Sequence, residues 1–173
     1  GGVDMRIDLT EAKNDPGVPR SYVLEERLGP LELGGERVVL ATPVRAALKV
    51  TGADGVFWVE GPVTATGEFQ CSRCLTSVRV DLEGELREKY SPRGTQTDDE
   101  AVPFEGDCLD VTRDVEKALL LAMPMKPVCR PDCRGICPRC GRDLNEGPCG
   151  CRAEDVDPRL AALAGFFKDS GEI

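Results

Sequence analysis

The sequence predicts an α+β fold: an antiparallel β-meander or barrel-like body, one or two helices and a cysteine-rich tail. Three features point that way. Apolar residues alternate with period two through the first half of the chain, as in half-buried strands. Between residues 110 and 123 they recur at helical spacing instead. Six of the nine cysteines crowd into residues 129–151.

A chain of 173 residues can bury one core, so a single domain over 1–173 is expected, with a β-rich body over 5–92. The run Tyr22 to Leu28 suits a short strand. After Gly34-Gly35, the residues Val38, Leu40, Val44, Ala46, Leu48 and Val50 alternate around Pro43, which predicts two strand pieces or one bulged edge strand. Ala53-Asp54-Gly55 is a tight-turn signal, Val56 to Val59 a strand, and Gly61-Pro62 its stop. Val63, Ala65, Gly67 and Phe69 alternate before Cys71, and Val78, Val80, Leu82 and Leu86 follow Cys74. Cys71 and Cys74 therefore fall at the tip of a predicted hairpin.

Residues 93–109 carry Asp98, Asp99, Glu100, Glu105 and Asp107 and are expected to form an acidic loop. Asp110 is positioned to cap a helix over 110–123, with Val111, Val115, Ala118, Leu119 and Ala122 as its apolar stripe. Pro124 and Pro127 stop it. A cysteine-rich module over 124–157 follows. Asp157-Pro158 then opens a C-terminal helix over 158–168 with Leu160, Leu163 and Phe167 on one side.

Composition excludes several classes. No apolar run approaches the roughly 18 residues that span a bilayer. The start, with Gly1-Gly2 ahead of Met5, lacks the charged and apolar regions of a signal peptide and reads best as a cloning scar, so a cytoplasmic protein is expected. There is no histidine, which removes Ser-His and Cys-His pairs and the commonest nitrogen ligand for metals. No phosphate-cradling glycine loop is present. An enzyme is not expected, and neither is a small-molecule substrate.

The cysteines carry the strongest signal. Cys71-Ser-Arg-Cys74 and Cys137-Pro-Arg-Cys140-Gly141 have C-x2-C spacing, and Gly141 permits the positive φ that wraps such a turn around an ion. Zinc takes four thiolates tetrahedrally, so one or two zinc ions are expected. The preferred grouping places Cys137, Cys140, Cys149 and Cys151 in one centre. Cys129 and Cys133 return to the hairpin tip to join Cys71 and Cys74. A single zinc drawing on four of the eight stays open, as do disulfides and, as a lesser rival, an iron–sulfur cluster. Cys108, beside Leu109, is expected to be a buried small apolar residue.

Three pieces in order resemble the YceD family of large-ribosomal-RNA accumulation proteins. They are Cys71-Ser-Arg-Cys74-Leu75, the helix ending Leu119-Leu-Leu-Ala-Met-Pro124, and the tail from Pro127-Val128-Cys129 through Cys137-Pro-Arg-Cys140-Gly141, Leu144-Asn145 and Cys149-Gly-Cys151 to Asp157-Pro158-Arg159-Leu160. The resemblance implies a bacterial or organellar factor needed for normal accumulation of 23S rRNA. Its partners would be 23S rRNA or its precursor, a large-subunit ribosomal protein, or both. Many family members have a reduced tail, whereas this chain has the full cysteine set.

Net charge is −9, which opposes a strong grip on phosphates, but Met123 to Arg159 carries a net +1. Arg130, Arg134 and Arg139 are the candidates for RNA or partner contact, unless they serve to balance thiolate charge. The acidic stretch from Asp98 to Asp107 could instead steer a basic partner. Two other functional classes compete with ribosome biogenesis: a zinc-ribbon adaptor in transcription or another nucleic-acid process, and a Cys-x2-Cys thiol redox protein.

Overall fold

The computed structural model describes residues 5–94 and 100–151. The expected C-terminal helix and the Asp98–Asp99 part of the acidic stretch lie outside them. The chain divides into two compact units, Gly1–Cys133 and Arg134–Ile173. The sequence predicts one domain with a cysteine-rich module beginning at 124.

In the first unit the order is β1 (Arg6–Asp8), α1 (Thr10–Asn14), β2 (Arg20–Glu26), β3 (Leu31–Leu33), β4 (Glu36–Leu40) and β5 (Val44–Ala53). There follow β6 (Val56–Gln70), β7 (Ser77–Pro92), β8 (Val102–Phe104), β9 (Cys108–Asp110) and α2 (Thr112–Ala122). The main sheet runs β2-β5-β6-β4-β3, with β7 on the other side of β6 and β8 parallel to the end of β7. All its other pairings are antiparallel. The α+β class expected from the sequence is the one observed.

Period-two burial makes the sheet. In β5, Val44, Ala46, Leu48 and Val50 are buried while Arg45, Ala47 and Lys49 face out. Each Val or Leu withdrawn from water in this way contributes about 1.5–3 kcal/mol. Between β5 and β6 the chain reverses at Asp54 (φ 50°) and Gly55 (φ 79°), the paired positive φ angles of a two-residue hairpin turn. The long β6–β7 hairpin pairs residue for residue from Phe57↔Tyr90 to Gln70↔Ser77, which leaves residues 71–76 as its tip.

The apolar stripe of α2 closes the core: Val111, Val115, Ala118 and Leu119 are buried with Leu82, Leu86 and Tyr90 of β7. Gly84 allows this close approach, because a Cβ there would lie 2.5 Å from the Ala118 carbonyl oxygen. Asp110 serves the helix start by accepting the Thr112 amide on its carboxylate at 2.9 Å. The residue at the N-cap itself is Val111.

Three local expectations are corrected. Gly61-Pro62 does not end a strand. β6 runs through it in unchanged register, and only the bridges to Ala47 and Leu48 lapse, since Pro62 has no N–H to donate. The acidic stretch is not wholly loop, because it carries β8 and β9, and Leu109 buries against the core while β9 pairs with β1. Cys108 precedes Leu109 on β9, so strand alternation turns it outward, and it is exposed rather than buried.

Candidate metal centres

The hairpin tip folds as a thiol knuckle. The Cys71 amide donates to the Thr76 carbonyl at 2.8 Å and the Leu75 amide to the Cys71 carbonyl at 2.9 Å, with Leu75 in the left-handed region at φ 63°. The Arg73 amide points at the Cys71 sulfur, 3.5 Å away. The second unit repeats the pattern. The Cys137 amide donates to the Arg142 carbonyl at 2.8 Å and the Gly141 amide to the Cys137 carbonyl at 2.9 Å, with Gly141 at φ 72°.

The first knuckle receives a distant segment. The Ser72 amide and hydroxyl both donate to the Pro127 carbonyl, at 2.8 and 3.0 Å. The Arg73 guanidinium donates to the carbonyls of Cys133 and Pro131. These contacts bring Cys129 and Cys133 beside Cys71 and Cys74, and all four sulfurs lie within 4.8 Å of one another. Cys71, Cys74 and Cys133 are buried, at 0%, 8% and 4% exposure, and Cys129 is exposed.

In the second unit the sulfurs of Cys137, Cys140, Cys149 and Cys151 likewise lie within 4.8 Å of one another. The Leu144 amide donates to the Gly135 carbonyl at 2.9 Å, and Ile136 bridges Asp143. Asn145 accepts the Arg134 amide on its side chain at 2.8 Å. Here Cys137 is buried, Cys149 half-buried, and Cys140 and Cys151 exposed.

The spacing suits a metal and not a disulfide. A disulfide brings two sulfurs to about 2.05 Å. A dication with thiolate bonds of about 2.3 Å, held tetrahedrally, sets its sulfurs about 3.8 Å apart. Cys71 and Cys133 are 3.9 Å apart at sulfur, and Cys74 and Cys129 are 3.6 Å apart. No described cysteine is in a disulfide.

The electrostatics agree. Backbone amides, that of Cys74 first and those of Arg73 and Cys129 after burial's opposing effect, hold the Cys71 thiol down to about 6. The amides of Cys140 and Arg139 do the same for Cys137, also to about 6. Burial and then its thiol neighbours push Cys129 up to about 12. Cys140 above all, then burial, pushes Cys151 to about 12. Each centre therefore ionises one thiolate readily and resists further negative charge. A dication removes that resistance.

The expected eight-cysteine set is thus brought together in the preferred two groups. Arg130, in the first unit, is exposed with its Nε 3.5 Å from the Asp132 carboxylate. Arg134 and Arg139, in the second, have exposed side chains. Sequence reasoning missed Arg73, whose place between two cysteines is the signal that points to it.

Fold and centres define a small, largely antiparallel β-sheet protein carrying two tetrathiol groups able to hold a metal ion. The family model for the large ribosomal RNA subunit accumulation protein YceD matches residues 59–167, and the chain belongs to that family. A protein of Mycobacterium tuberculosis is 32% identical over 167 residues, covering 92% of this chain and 79% of its own. The Bacillus subtilis protein YlbN is 32% identical over 114 residues, 63% and 66% of the two chains. A Zea mays protein named chloroplastic large ribosomal RNA subunit accumulation protein YCED homolog 1 is 26% identical over 160 residues, 73% and 54% of the two chains. No solved structure matches. Among the described residues no helix is long and apolar enough to cross a membrane.

Proposed function

We propose that this chain is a non-enzymatic, cytoplasmic ribosome-biogenesis factor that supports 23S rRNA accumulation or processing. It does so by binding the RNA or its precursor, or a large-subunit ribosomal protein. The observation that carries the reading is family membership. The name of the maize relative agrees with it.

Zinc fits both tetrathiol groups, in number of donors and in sulfur spacing. Cys71, Cys74, Cys129 and Cys133 would hold one ion, and Cys137, Cys140, Cys149 and Cys151 the other. A centre closed by four thiolates has no open position for a water, so its contribution is structural. The first joins the β6–β7 hairpin to residues 127–133. Arg130, Arg134 and Arg139 are the basic side chains offered for partner contact.

The test is deletion of the gene with complementation. The wild-type chain is expected to restore the 23S to 16S rRNA ratio, and a Cys71→Ser, Cys74→Ser chain to fail. Crosslinking in cells should then recover 23S sequence or a large-subunit protein. A normal rRNA ratio on deletion, with neither partner recovered, would defeat the reading.

A further inference from the structure

The two centres differ in three ways that bear on reactivity. Burial is the first: three of four thiols are buried in the first centre, one of four in the second. Support is the second. Two of the first centre's ligands, Cys71 and Cys74, stand at the tip of the β6–β7 hairpin, and Ser72 and Arg73 clamp the segment that brings the other two, whereas no described residue of the second unit belongs to the apolar core. The third is exposure of a facing pair. Cys140 and Cys151 are both exposed, and their sulfurs lie within the 4.8 Å of the group.

We propose that Cys140 and Cys151 form a peroxide-reactive modification site, whose oxidation to a disulfide releases the second unit's metal while the first centre keeps its own. The proposal rests on the zinc reading above. One thiolate attacks a peroxide oxygen: an S–O bond forms, the O–O bond breaks and hydroxide leaves. The second thiolate attacks that sulfenic sulfur, forming the S–S bond and expelling another hydroxide. The two sulfurs lose two electrons together and hydrogen peroxide gains them, so the zinc leaves as an unchanged dication that has lost two of its four ligands. Thiolate character and access govern the first step, and in the first centre Cys129 alone has the access, with every thiol that could resolve it buried. With no described apolar core of its own, the second unit loses its organising bonds with the ion. Peroxide thereby alters the tail and spares the sheet.

The experiment uses the full chain. Metal content of reduced, purified protein is measured first. Hydrogen peroxide is then added in increments, with released zinc followed by a chromogenic chelator and disulfides mapped by mass spectrometry. One zinc equivalent is expected to leave at least tenfold faster than the other, with the first disulfide joining Cys140 to Cys151. A Cys140→Ser, Cys151→Ser chain should lack the fast phase and retain the slow equivalent. Simultaneous release, earlier oxidation of Cys71, Cys74 or Cys133, or a first disulfide elsewhere would overturn the proposal and leave the zinc reading standing. Absence of zinc from the purified protein would overturn both.

Discussion

The guanidinium of Arg73 donates to the Cys133 carbonyl oxygen at 2.9 Å across 60 residues of sequence. A side chain inside the first C-x2-C turn thus holds the segment that supplies the other two thiols. Groups that orient metal ligands typically change affinity 10–100-fold when removed. Arg73→Ala should therefore weaken zinc binding at the first centre by about 10–100-fold and leave the second unchanged, as read by chelator competition. Equal loss at both centres, or none, would show that this clamp is not what assembles the site.

Gly84 is the contact point between β7 and α2. An added Cβ would meet the Ala118 carbonyl oxygen at 2.5 Å and its carbon at 2.8 Å, both backbone atoms that cannot rotate away. Gly84→Ala should cost about 1–3 kcal/mol through overpacking, seen as a lower denaturation midpoint with unchanged zinc content. Gly61 is tighter still, at φ 153° with the Ala47 oxygen 2.1 Å from an ideal Cβ. Gly61→Ala is expected to be the more damaging of the two.

Tyr90 is buried with its hydroxyl donating to the Asp114 carboxylate. Burial, followed by that hydrogen bond, raises its pKa, so the donor stays protonated throughout the physiological range. Tyr90→Phe removes the hydroxyl and leaves Asp114 without this donor, which should cost about 1.5–3 kcal/mol for a bond to a charged group. Urea unfolding measures it. A change below a few tenths would place the carboxylate in contact with water instead.

The sheet was largely legible because Val44, Ala46, Leu48 and Val50 alternate without exception, and one face of the strand is buried. The second knuckle was legible too, since Gly141 stands where the turn needs positive φ. The first has Leu75 in that role, which no residue preference predicts, and only the C-x2-C spacing revealed it. β8 and β9 were missed because three-residue strands within an acidic stretch carry too little alternation to see. Their positions are set by pairing with β7 and β1, information that lies elsewhere in the chain. Cys108 was misplaced for the same reason, since a strand and a helix start turn the same residue in different directions.

The thiol electrostatics fix the pH dependence of metal binding. In the metal-free fold Cys71 and Cys137 titrate near 6, below their ordinary value of 9.0, and Cys129 and Cys151 near 12, above it. The depressed pair favours the fold fully above pH 9 and loses that contribution as pH falls through 6. The raised pair favours it below pH 9 and loses that contribution as pH rises through 12. A bound metal needs every ligand ionised, so between pH 6 and 12 each centre must at least expel the proton of Cys129 or Cys151. Apparent zinc affinity should therefore rise by about tenfold or more per pH unit at each centre, with proton release in weak buffer on adding zinc. Competition titrations at several pH values within the window measure the slope. A flat profile would mean that these thiols are already ionised before the metal arrives, and that the like-charge repulsion within each cluster is relieved by something other than the ion.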